Sequence, residues 1–120
     1  MSTIEQRRHP RIDVNWPATL TDAAGRRIEG FVIDASQGGI GFVTMQACEA
    51  GTNYEAHICI PAVTSSHHDI RAVYKCVHAR AVDMQLGNCK AGMQLVDIDQ
   101  DDLDALIAAL FETGKNNFSL

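Results

Sequence analysis

The chain has 120 residues, of which 46% are hydrophobic and 21% charged, the balance of one ordinary globular domain. No apolar run approaches the roughly 18 residues of a membrane span, and the polar, basic start has no signal-peptide core, so no membrane insertion and a cytoplasmic address are expected. The net charge of −5 divides unevenly: residues 1–27 carry five basic and three acidic residues, residues 28–120 five basic and twelve acidic. Duplex nucleic acid, which is bound by neutralising many phosphates, is a poor partner for such a chain. A small anion held by a local arginine cluster fits it better.

Residues 1–13 read as a flexible arm carrying the arginines, residues 14–114 as one barrel with its closing helix, and 115–120 as a tail. Beyond the arm, Val14, Trp16, Ala18 and Leu20 alternate with polar residues, the period of a half-buried strand, and Pro17 predicts an edge or a bulge within it. The turn 21–25 leads to a second strand at Arg27–Ile33, and Ile40–Thr44 forms a third after the break at Asp34–Gly39. Tyr54, Ala56, Ile58 and Ile60 mark a fourth strand that Pro61 stops. After the polar loop 64–69 comes a long fifth strand, with Ile70, Ala72, Tyr74, Cys76 and His78 expected on one face and Val73 and Val77 on the other. A hairpin tip at Gln85–Asn88 precedes a last strand at Ala91–Val96. Six short strands joined by turns predict a mainly β fold, an antiparallel barrel or sandwich.

Leu103, Leu106, Ile107, Leu110 and Phe111 then fall at the spacing of an amphipathic helix, predicted over about 100–113. Asp101, Asp102 and Asp104 suit the positive end of its dipole, and Gly114 stands where a helix-ending residue is expected.

The cysteines Cys48, Cys59, Cys76 and Cys89 contain no CxxC pair, and the expectation is of buried apolar thiols with no disulfide framework and no metal. His57 lies two residues from Cys59 and His78 two from Cys76, without the close ligand pairs usual in metal sites. There is no P-loop, Gly39-Ile40-Gly41 lacks the third glycine of a dinucleotide fingerprint, and Ser36 has no evident catalytic partner, so no enzyme activity is expected.

Two segments carry a binding chemistry. Gln6-Arg7-Arg8-His9-Pro10-Arg11 sets three arginines just ahead of the first strand, and guanidinium forks grip phosphate and the O6/N7 edge of guanine. Pro10 keeps His9 out of helical geometry, giving an extended arm, although a solvated basic tail has the same composition. Asp34-Ala35-Ser36-Gln37-Gly38-Gly39 is either a turn fastened by side-chain-to-backbone bonds or a loop whose carboxylate accepts from guanine N1–H and N2–H₂.

Together, the RxxxR of Arg7–Arg11 and the DxSxxG of Asp34–Gly39 resemble the signature of the PilZ domain family of cyclic di-GMP receptors. The likeness covers nearly the whole chain and implies a six-stranded PilZ-type barrel with a C-terminal helix, and a non-enzymatic receptor or adaptor with cyclic di-GMP as ligand and no cofactor. It implies that Arg7, Arg8 and Arg11 hold phosphate and guanine, that Asp34 and Ser36 read guanine, and that Gly39 lets the backbone approach the ligand. His78 stands where many members place a tryptophan against the base. Gln6, beside the motif, belongs to the region on which binding of one ligand or an intercalated pair depends in this family. The downstream reader is another protein, in motility, pilus or biofilm control. The competing class is a PilZ-fold interaction module that does not bind the nucleotide. A single-stranded nucleic-acid barrel would need aromatics on a basic face, against the 6% aromatic content here.

Overall fold

The computed structural model describes residues 11–61, 68–83 and 88–118. Six strands follow in order: β1 (Ile12–Thr21), β2 (Arg27–Ala35), β3 (Gly39–Thr44), β4 (Asn53–Ile60), β5 (His68–Asp83) and β6 (Asn88–Ile98). The helix α1 (Gln100–Phe118) ends the described chain. The strands form a closed antiparallel barrel in the order β1-β2-β3-β6-β5-β4, with β4 pairing back onto β1. Closure removes the unpaired edges that an open sheet of this size would have to protect.

The alternation read in the sequence fills the interior. Leu20, Ile28, Val32, Ile40, Phe42, Ile58, Ile70, Tyr74 and Met93 are fully buried, one apolar face from each strand meeting inside the barrel. Burial pushes the Tyr74 hydroxyl pKa up to about 12. Pro17 is opposite Phe31, just after an irregularity in the β1–β2 pairing between Asp13 and Trp16 and one residue before β4 joins at Ala18. Its missing N–H therefore falls just past the irregular stretch of β1 and just outside the β1–β4 pairing, not at the bulge itself. The β1–β2 turn is fastened by Asp22, whose carboxylate accepts from the amides of Ala24 and Arg26, and Gly25 supplies a φ of 87°.

Several boundaries differ from the sequence reading. Asp34 and Ala35 belong to β2 and Gly39 to β3, so the break there shrinks to Ser36–Gly38. Strand β5 begins at His68 and β6 spans Asn88–Ile98, beyond the limits that alternation alone gives. The helix runs through Gly114 to Phe118. Gly114 does not end it because the residue is buried against β1: a Cβ there would meet Ile12 Cδ1 at 3.0 Å. The packed face is also rotated from the expected stripe. Leu106 and Leu110 are buried with Ala105 and Ala109 beside them, whereas Ile107 and Phe111 face solvent. Small residues on the inner face let α1 lie close to β1 and β5.

Cys48, Cys76 and Cys89 are buried, as expected of apolar thiols, and desolvation by burial, with neighbouring thiols adding to it, pushes the Cys48 pKa up to about 12. Cys59 differs: it points outward and is partly exposed. Among the described residues, no helix is long and apolar enough to cross a membrane.

Candidate functional site

Two β-bulges build the site on the outer face of the barrel. Simple alternation from Val32 would turn Asp34 inward, but the β2–β3 register shifts between Val32 and Asp34. The extra residue, Ile33, sends the Asp34 carboxylate out and returns Ala35 to the core. Strand β5 does the same between Cys76 and His78. Val77 is the extra residue, so His78 leaves the inner face predicted for it and lies exposed on the outside.

The pairing then aligns four residues across four strands. Asp34 of β2 is opposite Gly41 of β3, Gly41 opposite Gly92 of β6, and Gly92 opposite His78 of β5. Both glycines are covered by the side chains at the ends of this row. A Cβ on Gly41 would sit 2.7 and 2.8 Å from the two carboxylate oxygens of Asp34, and one on Gly92 would sit 2.3 Å from His78 Nε2. The row is thus a low floor with a carboxylate leaning over one end and an imidazole over the other. Nothing in the motif spacing identifies Gly41 or Gly92. A glycine inside a strand is the one available signal, since it often marks the close approach of another group.

Arg11 Nη1 donates to Asp34 Oδ1 at 2.8 Å, both side chains remaining partly exposed at 28% and 22%. This contact joins the two sequence motifs directly. Asp13 is opposite Asp34 on the neighbouring strand, a like-charge pair that the Arg11 guanidinium offsets. A carboxylate has about four lone-pair sites, so Asp34 can keep Arg11 and still accept from a ligand. Arg7 and Arg8 lie outside the described residues.

Ser36 and Gly39 are placed differently from these. Ser36 is buried; its amide donates to Gly39 O at 2.9 Å, and its hydroxyl accepts from the amide of Gly38 at 3.2 Å. It holds the short β2–β3 turn in shape behind Asp34. A Cβ on Gly39 would lie 2.4 Å from Met93 O, so this glycine permits β3 to pair closely with β6. The positions where missing side chains keep the outer surface low are Gly41 and Gly92.

The outer barrel thus carries an Arg–Asp pair, a glycine floor and a flanking imidazole in one row. The chain matches the family model described as the PilZ domain over residues 5–112, and it belongs to the PilZ domain family. Solved structures repeat the fold at low identity. The inhibitor of motility MotI/DgrA from Bacillus subtilis has a TM-score of 0.78 at 17% identity, covering 94% of this chain and 53% of that one. The PilZ domain of YcgR from Escherichia coli, solved with c-di-GMP, has a TM-score of 0.73 at 12% identity, covering 93% and 94%. The MrkH–c-di-GMP complex from K. pneumonia has a TM-score of 0.70 at 14% identity, covering 92% and 55%. The chain therefore spans about half the length of MotI/DgrA and of MrkH and nearly all of the YcgR domain. No curated protein matches its sequence.

Proposed function

We propose that this chain is a non-enzymatic cyclic di-GMP receptor that binds the dinucleotide on the Asp34–His78 row. The observation that carries this reading is the Arg11–Asp34 contact, which unites both motifs beside the glycine floor. Asp34 accepts from guanine N1–H and N2–H₂, with Ser36 holding its loop. The base lies over Gly41 and Gly92, and the imidazole of His78 swings aside to stack on it. Arg7, Arg8 and Arg11 take the phosphates and the Hoogsteen edge of guanine, where paired forks outperform point charges. The arm ahead of Arg11 orders over the ligand and so changes the surface offered to a partner protein, in control of motility, pili or biofilm. The YcgR domain and MrkH, both solved with c-di-GMP, support the ligand assignment, and the inhibitor of motility supports the output.

Calorimetric titration tests the assignment. Cyclic di-GMP is expected to bind saturably, with GTP and cyclic GMP much weaker, and counting nucleotides per chain at saturation separates a single ligand from an intercalated pair. Absence of heat and of any competition by cyclic di-GMP would leave the chain as an interaction module of the same fold.

A further inference from the structure

On β4, His57 and Cys59 are two residues apart and so emerge on the same outer face, while Asp69 of β5 is directly opposite Cys59. The ligating atoms of these three side chains lie within 4.8 Å of one another, the one such group of three or more among the described residues. His57 Nε2 is 3.1 Å from Asp69 Oδ2, is shielded from solvent, and makes no hydrogen bond. An imidazole nitrogen and a carboxylate oxygen at this distance can share either a proton or a metal cation.

We propose that His57, Cys59 and Asp69 form a three-ligand site for a zinc-class divalent cation, bridging β4 and β5 on the outside of the barrel. Tetrahedral zinc with bonds of about 2.0–2.3 Å holds its ligand atoms about 3.3–3.6 Å apart, so the His57–Asp69 contact needs only a slight expansion. One nitrogen, one sulfur and one oxygen form a donor set that suits zinc and cobalt, whereas the thiolate disfavours magnesium and calcium. The fourth position falls to water, for which the outer groove of about 680 Å³ lined by His57, Cys59, Pro17, Phe31 and Met45 leaves room. On binding, the metal takes the place of the Cys59 thiol proton, which passes to solvent. Arg71, opposite His57, is the neighbouring positive charge that works against the cation, and Asp69 offsets it. The sequence reading expected no metal because Asp69 comes from another strand, so spacing along the chain does not reveal the triad. The site lies apart from the Asp34–His78 row and is independent of the nucleotide assignment.

Cobalt(II) is the spectroscopic probe, titrated into the reduced full-length chain and then displaced by zinc. The expected result is one equivalent with tetrahedral d–d bands and a thiolate-to-cobalt charge-transfer band, together with a zinc-dependent rise in Tm. Cys59→Ser abolishes the charge-transfer band. Cys59→Ser, His57→Gln and Asp69→Asn each weaken binding by more than about 100-fold, since even outer-shell partners of a metal cost 10- to 100-fold. Cys48→Ser changes nothing. The metal-free Tm of each variant verifies the fold. No cobalt binding by the wild-type chain, a thiolate band that survives in Cys59→Ser, or loss of the band in Cys48→Ser would overturn the proposal.

Discussion

Replacing Gly41 by alanine puts a methyl carbon 2.7–2.9 Å from the Asp34 carboxylate, well inside van der Waals contact. The atoms that must give way are the end of a flexible side chain, so the carboxylate turns aside and the barrel stays closed. The lost Arg11–Asp34 pair is partly exposed and contributes about 0.5–1 kcal/mol to stability after allowing for solvent screening. Removing a strand glycine returns about 0.5–1 kcal/mol by reducing unfolded-state entropy. The two effects offset, and Tm is expected to stay within about 3 °C of wild type. Binding behaves differently on the proposed assignment of Asp34 to guanine, because the displaced carboxylate then no longer meets the base. Losing a charge-assisted contact of about 1.5–3 kcal/mol weakens cyclic di-GMP by about 10- to 150-fold. Gly39→Ala is the counterpart: its methyl meets the backbone Met93 O at 2.4 Å, so β3 and β6 must part. Overpacking of this kind costs about 1–3 kcal/mol, a fall of about 5–15 °C in Tm. Thermal melts and calorimetry on the two variants separate the roles. A Gly41→Ala protein that binds like wild type, or that melts as low as Gly39→Ala, would show that Gly41 does not keep Asp34 in place for the ligand.

Three further outcomes follow from the same geometry. Arg7→Ala or Arg11→Ala weakens cyclic di-GMP by about 1.5–3 kcal/mol in calorimetry, and added salt weakens it further, whereas Arg26→Ala, whose guanidinium bonds Ala47 O in the β3–β4 connection, leaves affinity unchanged. Leu106→Ala removes a fully buried side chain of α1 and costs about 2–4 kcal/mol in denaturant unfolding, while Phe111→Ala, 66% exposed, changes stability by less than about 0.5 kcal/mol. Deleting residues 1–10 abolishes binding yet leaves a cooperatively melting barrel, and NMR relaxation of the intact chain shows the arm gaining order when cyclic di-GMP is added.

Alternation made the cores of β1 and β4 legible: Trp16, Ala18 and Leu20 in β1 and Tyr54, Ala56, Ile58 and Ile60 in β4 all face inward as their spacing implies. It failed at His78, because a bulge is a property of two paired strands and leaves no mark in the period of one. The bulge at Ile33 was equally silent, yet it is what aims Asp34 outward. At the helix end, the Gly114 stop signal gave way to tertiary packing, since Ile12 fills the space that a glycine leaves open. Ile107 and Phe111 joined the predicted stripe because apolar spacing cannot tell which side of a helix will dock when Ala105 and Ala109 offer a closer fit. The motif residues were legible as chemistry, but Gly41 and Gly92 emerge only once the strands are in register.

An NMR titration with cyclic di-GMP reads, residue by residue, whether the ligand occupies the outer row from Asp34 to His78. Amide shifts are expected at Arg11, Asp34, Gly41, Gly92 and His78, with His57, Cys59 and Asp69 on the β4–β5 face unmoved. Saturable shifts confined to any other face of the barrel, or none along this row, would contradict that placement of the ligand.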